Sequence, residues 1–167
     1  MKIPFFVALL VLLALSAPCW SQETAKPNLA FDSTTMKYIW RETVPVDSVG
    51  RAELYQRAAQ WVALMYKDSK RATRYDDKDA GVLIARGYWQ KTFAQHWYTL
   101  RIECKDGRYR ATLTDFTMVT TLSGQRTESE VEDMHRKYRA KYVEDCVETL
   151  AALRKAMALP AASGEGW

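Results

Sequence analysis

The chain has 167 residues, of which 48% are hydrophobic and 26% are charged, with only 7 Gly, 5 Pro and 3 Cys. This is the composition of one ordinary globular domain, and it excludes a collagen-like, disulfide-dense or low-complexity protein. With 24 basic against 20 acidic residues, the net charge of +4 is too mild and too evenly spread for a nucleic-acid footprint, so we expect no nucleic-acid partner.

The N-terminal segment has the pattern of a secretory signal peptide. Met1 and Lys2 form a short positive start, residues 5–15 are an apolar run, and residues 16–21 supply the small residues of a processing region. The apolar run rises only about 16 Å as a helix, which is about half of a hydrocarbon core. We therefore expect residues 1–21 to be removed on export to the periplasm, the cell envelope or the extracellular medium, with no membrane span left after cleavage.

Cys19 supports an alternative, in which this residue is acylated and becomes the N-terminus of a lipoprotein. Bacterial lipoprotein signals place a small residue directly before the acylated cysteine, whereas Pro18 stands in that position here. Cleavage between Ser21 and Gln22 fits better, because Cys19 and Ser21 then occupy the two small-residue positions that signal peptidase reads.

Three further segments are expected after the signal peptide. Residues 22–35 are mostly polar, carry Pro27 and predict a flexible leader. Residues 36–158 hold all the periodic segments and predict a single α+β domain, which is long enough to bury one core. Residues 159–167 are a tail of small residues with little to fix it, and they predict disorder.

Strand and helix patterns alternate through the first half of the domain. Residues 36–46 alternate weakly, are rich in β-branched and aromatic residues and contain a proline, which predicts a strand at or near a sheet edge. Residues 48–67 carry apolar side chains at helical spacing, with Ser48 or Gly50 as the expected cap. Residues 72–89 divide at a polar cluster into two short strands.

A tight hairpin is predicted at Asp106 and Gly107, which have the sequence of a two-residue type I′ turn between alternating segments. Such a turn fixes the register of the two strands. The expected cross-strand partners are Lys105 with Arg108, Cys104 with Tyr109, Glu103 with Arg110, Ile102 with Ala111 and Leu100 with Leu113.

The phase of the alternation changes farther along the second strand. Asp115 falls where an apolar residue is due, and Phe116 and Met118 fall on the opposite face, beside Trp97. Either a β-bulge near Asp115 restores the phase, or the far end of the hairpin is apolar on both faces. We expect the bulge, because strongly curved sheets use bulges to bend.

A long helix is predicted from residue 129 onward, where apolar residues recur about every 3.7 positions. Thr127 and Glu130 form a capping-box pattern at its start, and Pro160 ends it. The resulting order, β-α-β-β-β-β-α, predicts an α+β fold in which a curved antiparallel sheet has helices packed on one face.

Three stretches carry a resemblance to a known family. ELYQRAAQWVALMY, YDDKDAGVLIARGYW and KDGRYRATLTDF, together with the signal peptide, resemble secreted proteins of Bacteroidetes-type bacteria, described as a domain of unknown function with a TATA-box-binding-protein-like fold. The resemblance spans roughly residues 36–123 and implies this fold and an envelope location. It implies no activity and no functional residues, and the fold name does not import DNA binding, because a fold does not determine function.

No metal or catalytic motif stands out in the sequence. His96, His135 and the cysteines show no ligand spacing, so we expect no metal site and no cofactor. Residues 76–79 resemble the start of a calcium loop, but Gly81 and Tyr88 stand where ligands are required, which favours a solvated turn. No nucleophile elbow, P-loop or dinucleotide fingerprint occurs, so we assign no catalytic residue.

Cys104 and Cys146 are the only cysteines left after the expected cleavage. Both fall on predicted apolar faces, one on a strand and the other on the last helix. A disulfide needs Cα atoms within about 7 Å, which is closer than most helix and sheet positions approach each other. We therefore expect two free buried thiols, although disulfides can persist in an oxidising compartment.

Aromatic residues give the main indication of a binding function. If the tyrosines of the last helix face those of the sheet, the space between them is either a solid core or a ligand cleft. The candidate ligand-binding residues are Trp97, Tyr98, Tyr109, Tyr138 and Tyr142.

The sequence thus predicts an exported, non-enzymatic domain whose concave, aromatic-rich sheet binds a small apolar ligand or a segment of an envelope protein. One alternative is a structural or interaction protein that pairs through a sheet edge, which an exposed, uncharged edge at residues 38–44 would favour. A second alternative is a hydrolase of unknown substrate, which requires a polar cleft with a perturbed carboxylate or histidine.

Overall fold

The computed structural model describes residues 29–66, 68–133 and 136–160, and for residues 136–138 it describes the backbone alone. The elements follow in the order β1 (Ala30–Asp32), β2 (Lys37–Pro45), α1 (Arg51–Met65), α2 (Ser69–Ala72), β3 (Thr73–Asp77), β4 (Val82–Gln90), β5 (Ala94–Lys105), β6 (Arg108–Leu122), β7 (Gln125–Glu130), a 3₁₀ turn (Val131–Asp133) and α3 (Arg136–Ala158). The strand predicted at residues 36–46 is confirmed as β2, and the helix predicted at residues 48–67 is confirmed as α1. Gly50 is the N-cap of α1.

The described strands form one antiparallel sheet with helices on one face. Its strand order is β1-β2-β6-β5-β4-β3, and β7 also pairs with β6. The long strand β6 pairs with β5 on one side, while β2 and β7 share its other side. Helix α1 contacts β4, β5, β6 and α3, and the buried core lies between the helices and this face of the sheet. The predicted α+β class is confirmed.

The β5–β6 hairpin has the predicted register at all five pairs. Its turn, however, is not type I′, because φ is positive at Gly107 (72°) but not at Asp106. A positive φ at the second central residue alone is the pattern of a type II turn. Contacts outside the hairpin hold this geometry, since the N–H of Gly107 donates to the carbonyl of Val49 and its own carbonyl accepts from Val46, both at 2.9 Å.

The predicted β-bulge at Asp115 is present. Asp115 has a φ of 53°, and the pairing of β5 with β6 shifts register between Trp97 and Thr99. The shift turns Phe116 into the core, where it is buried. Lys37 of β2 forms an ion pair with Asp115, so the bulge also joins the neighbouring strand.

Strand β7 corrects the predicted start of the last helix. Thr127 pairs with Thr120 and Glu130 pairs with Thr117, so these residues extend the sheet and form no capping box. The cause is the turn before β7, where Ser123 (φ 51°) and Gly124 (φ 81°) return the chain along β6 in a type I′ hairpin. The predicted start of the helix at residue 129 is therefore wrong, and in the described residues helix α3 spans Arg136–Ala158.

Strand β1 corrects the expected leader. Ala30–Asp32 pair with β2, and Leu29 is buried in the core, so the end of segment 22–35 is part of the folded domain. The expectations for residues 1–21, including Cys19 and the cleavage site, and those for 22–28 and 161–167 lie outside the described residues. In the ranges that are described, no helix is both long and apolar enough to cross a membrane.

Candidate functional site

The aromatic residues predicted to bind a ligand do not form one site. Tyr98, Tyr109 and Tyr142 are each 1% exposed and pack in the core between the sheet and the helices. Trp97 lies on the opposite face of the sheet, where its ring is 4.8 Å from that of Tyr88. Tyr138 lies in α3, and its side chain is outside the described part of the structure. Between the sheet tyrosines and Tyr142 the protein therefore has solid core.

Trp89 at the end of β4 fixes α3 against this core. Its ring stacks on Tyr98 with a centroid distance of 4.1 Å and meets the edge of Tyr142 at 6.2 Å. Its indole N–H donates to the hydroxyl of Thr149 at 2.8 Å. The stack continues to His96 of β5, whose ring lies 4.6 Å from Tyr142 and nearly parallel to it.

A pocket of about 620 Å³ opens beside His96, between the β4–β5 loop, β5, β6 and α3. This volume lies within the range of about 300–1,000 Å³ typical of small-molecule sites. We call it the His96 pocket. Its lining includes the apolar side chains of Phe93, Ala94 and Met118 and the polar side chains of Lys91, His96 and Tyr142.

A buried histidine in the pocket lining has a buried carboxylate beside it. Nδ1 of His96 lies 3.6 Å from Oδ2 of Asp145, and both side chains are 7% exposed. The other carboxylate oxygen of Asp145 accepts from Nζ of Lys91 at 2.5 Å. Lys91 belongs to the β4–β5 loop, His96 to β5 and Asp145 to α3, so the fold assembles this group from three parts of the chain.

Three buried polar atoms at this place have no hydrogen-bond partner among the described residues: Nδ1 of His96, Oδ2 of Asp145 and the hydroxyl of Tyr142. A separation of 3.6 Å is too long for a hydrogen bond between the first two. Buried polar atoms in proteins are almost always partnered by protein or by ordered water. Their concentration beside one pocket therefore marks this place as the candidate binding site.

Burial lowers the pKa of His96 below its usual value, because it removes the charged form from water. The carboxylate of Asp145 opposes this effect, while Lys91 and Lys141 add to the lowering. His96 is accordingly neutral at neutral pH. Burial also raises the pKa of Tyr142, so this phenol keeps its proton.

Sequence reasoning did not identify His96, Lys91 and Asp145 as site residues. A usable signal existed for two of them, because His96 lies on the same face of β5 as Tyr98 and Asp145 lies beside the buried stripe of α3. Ionisable residues in apolar stripes are uncommon and need an explanation. Lys91 carried no such signal, since a loop lysine is expected at the surface.

The edge at residues 38–44 is not uncharged. Arg154 of α3 donates two hydrogen bonds of 3.1 Å to the carboxylate of Glu42, and the backbone N–H of Tyr38 donates to Glu132. Arg41 lies on the same strand and is exposed. Residues 38–44 therefore do not form the exposed, uncharged edge that would have favoured pairing with another protein.

The described residues offer no metal site: no group of three or more His, Cys, Asp or Glu side chains is placed to hold an ion. Cys104 and Cys146 are both free and buried. Their position agrees with the expectation of two separate thiols in one core.

Comparison with known proteins gives a fold and a family resemblance. Residues 40–118, just under half of the chain, match a family described as a domain of unknown function (DUF4468) with TBP-like fold. No curated protein matches the chain. The match confirms the resemblance predicted from the three sequence stretches. The matched range includes Lys91 and His96 but ends before α3, so Asp145 lies outside the matched range.

Two crystal structures share the fold. A TBP-like protein from Parabacteroides distasonis ATCC 8503 has a TM-score of 0.65 at 14% identity, over 74% of this chain and 94% of that one. A DUF4468 family protein from Bacteroides ovatus ATCC 8483 has a TM-score of 0.63 at 14% identity, over 81% of this chain and 93% of that one. At such identities the likeness shows the TBP-like fold alone.

Proposed function

We propose that this protein is an exported, non-enzymatic domain that binds a small, mainly apolar molecule in the His96 pocket. The observation that supports this is a pocket of about 620 Å³ beside buried polar atoms that have no partner among the described residues. A cleft of this volume that combines apolar side chains with polar groups is typical of small-molecule sites. Export rests on the signal-peptide pattern of residues 1–21.

Phe93 gives the pocket an apolar rim. Its side chain is 76% exposed in the β4–β5 loop, while Ala94 and Met118 supply further apolar contact. Covering exposed apolar surface is favourable by about 25 cal/mol per Å². The pocket therefore suits an apolar body, and the His96 ring in its lining suits one small polar head group.

Titration with octan-1-ol tests this proposal, with the methyl resonance of labelled Met118 as the readout. We expect saturable shifts at Met118 and weaker binding in Phe93→Ala. The matched control is Phe31→Ala, since Phe31 is also exposed (48%) but lies on β1, outside the pocket lining. Shifts that do not saturate, or equal loss in the two variants, would contradict a binding function for this pocket.

A hydrolase is a second candidate, because a perturbed histidine that is paired with the buried Asp145 lines the pocket. A neutral imidazole held by a carboxylate can act as a general base toward water. Hydrolysis of p-nitrophenyl octanoate tests this activity. A rate above background that disappears in His96→Asn, while octanol still binds, would favour the enzyme over the binding domain.

A further inference from the structure

The tautomer of His96 follows from its neighbour. A neutral imidazole carries one N–H donor and one acceptor nitrogen, whereas a carboxylate only accepts. Nδ1 of His96 lies 3.6 Å from Oδ2 of Asp145, and the negative charge of this carboxylate favours the proton of the neutral ring on Nδ1. The other nitrogen, Nε2, is then a hydrogen-bond acceptor.

The acceptor nitrogen belongs to the part of the ring that meets the pocket. His96 contributes to the pocket lining, but Nδ1 is fully buried against Asp145 and α3. The remaining edge of the ring carries Nε2. The stacking of the imidazole on Tyr142, at 4.6 Å and nearly parallel, holds the ring in this orientation.

One cation of the pocket lining, Lys91, is already neutralised. Lys91 is bound to Asp145 through Oδ1, so a ligand carboxylate would have to compete with a buried carboxylate for this ammonium group. A carboxylate would also place lone pairs against the lone pair of Nε2. An anionic head group is therefore disfavoured as the direct partner of Nε2.

We propose that the His96 pocket selects an apolar molecule that bears a hydroxyl or comparable neutral hydrogen-bond donor, which donates to Nε2 of His96. The proposal rests on the binding function given above and names the chemical class of the ligand. In this proposal, Asp145 is a positioning residue that favours one tautomer of His96, and Lys91 holds the carboxylate of Asp145 in place.

Two neutral probes of equal size separate donor recognition from apolar binding. Octan-1-ol has a hydroxyl donor, whereas heptyl methyl ether has the same number of carbon and oxygen atoms and can only accept. The measured quantity is the ratio of their Kd values in the full-length protein at pH 7.5. Comparing this ratio between the unchanged protein and variants cancels the different hydration of the two probes.

Two variants change the acceptor in different ways. His96→Phe removes Nε2 but keeps a ring that can stack on Tyr142. Asp145→Asn keeps the shape of the side chain, and because Lys91 binds its carbonyl oxygen, its amide N–H₂ faces His96. The amide then donates to Nδ1, the proton of the imidazole moves to Nε2, and the acceptor in the pocket becomes a donor.

We expect the preference for octan-1-ol over the ether to fall by roughly fivefold or more in both variants, the effect of one hydrogen bond. An unchanged ratio in either variant that folds, as judged by circular dichroism, overturns donor recognition by His96. If the unchanged protein and the variants all bind the two probes with equal affinity, donor recognition by His96 is also overturned. The proposed binding function of the pocket is then retained. Absence of saturable binding by both probes overturns the binding function itself.

Discussion

At the scale of single residues, Gly87 on β4 is the described glycine whose neighbours approach most closely. A Cβ added there would lie 2.3 Å from Cε1 of Tyr66 and 2.9 Å from the hydroxyl oxygen of Tyr98. These two tyrosines are joined by a hydrogen bond of 3.0 Å between their hydroxyl groups, so neither ring moves away without breaking it. The absence of a side chain at Gly87 is thus a requirement of the contact between the end of α1 and the sheet.

We expect Gly87→Ala to lower the free energy of unfolding by about 1–3 kcal/mol, the usual cost of overpacking. Urea denaturation measures the effect. The control is the same substitution in Tyr66→Ala, which removes the ring that the added Cβ meets most closely, and there Gly87→Ala should cost less. An equal cost in the two backgrounds would mean that the close approach of Tyr66 to Gly87 is wrong.

The two buried thiols make a second prediction at this scale. Burial raises the pKa of Cys104 to about 11 and also raises that of Cys146, where Asp145 adds to the effect. Alkylation requires the thiolate, so iodoacetamide at pH 7.5 should label neither residue in the folded protein and both in denaturant. Peptide mass mapping separates these two cysteines from Cys19. Rapid labelling of Cys146 in the native state would mean that α3 is not packed as described.

At the scale of elements, the β5–β6 turn also caps a helix. Gly50, the N-cap of α1, has no side chain to accept a hydrogen bond. Instead, Asp106 in the turn accepts from the backbone N–H of Arg51 at 2.7 Å. One side chain therefore joins the hairpin to the first turn of α1, where a negative charge also interacts favourably with the helix dipole.

Asp106→Ala should lower the free energy of unfolding by about 1 kcal/mol, the usual cost of losing a cap. Asp106→Asn should restore most of it, because the amide oxygen accepts the same hydrogen bond. Asp79→Ala in the β3–β4 turn is the control and should have little effect. Chemical denaturation with circular dichroism at 222 nm gives all three values, and a full loss in Asp106→Asn would contradict the capping role.

The hairpin also shows which elements sequence can predict. The register of β5 and β6 followed from alternation around Asp106 and Gly107, because a two-residue turn leaves no other pairing on the apolar face. Strand β7 did not follow, since residues 125–130 are polar on both faces and carry no period-2 pattern. Its pairing with β6 depends on the Ser123–Gly124 turn and on backbone hydrogen bonds, which tertiary context supplies.

At the scale of the whole molecule, the fold was predictable and the site was not. Apolar periodicity was sufficient for the α+β class, because it reports which faces are buried, and the resemblance of three stretches to a known family implied the TBP-like fold. The His96 pocket depends on the distance between β5 and α3, and a periodicity does not encode that distance. The predicted aromatic residues do not form one site for the same reason, since Tyr98 and Tyr142 pack in the described core and Trp97 lies on the other face of the sheet.

The buried histidine makes the stability of the whole domain depend on pH. Burial lowers the pKa of His96 in the folded state below its usual 6.5, while Asp145 opposes the shift and Lys91 and Lys141 reinforce it. Below pH 6.5 the unfolded chain therefore binds more protons than the folded chain, and stability falls as the pH falls.

We expect the free energy of unfolding to decrease steadily between pH 7.5 and pH 5, and the decrease to be smaller in His96→Phe. The comparison uses the slope of the free energy of unfolding against pH. A change in absolute stability caused by the substitution does not affect this slope. The chain has one other histidine, His135, which is present in both proteins and cancels. Urea denaturation across this range measures the two slopes. Equal slopes would mean that His96 keeps its usual pKa, and its assignment as a buried, neutral acceptor beside the pocket would then be wrong.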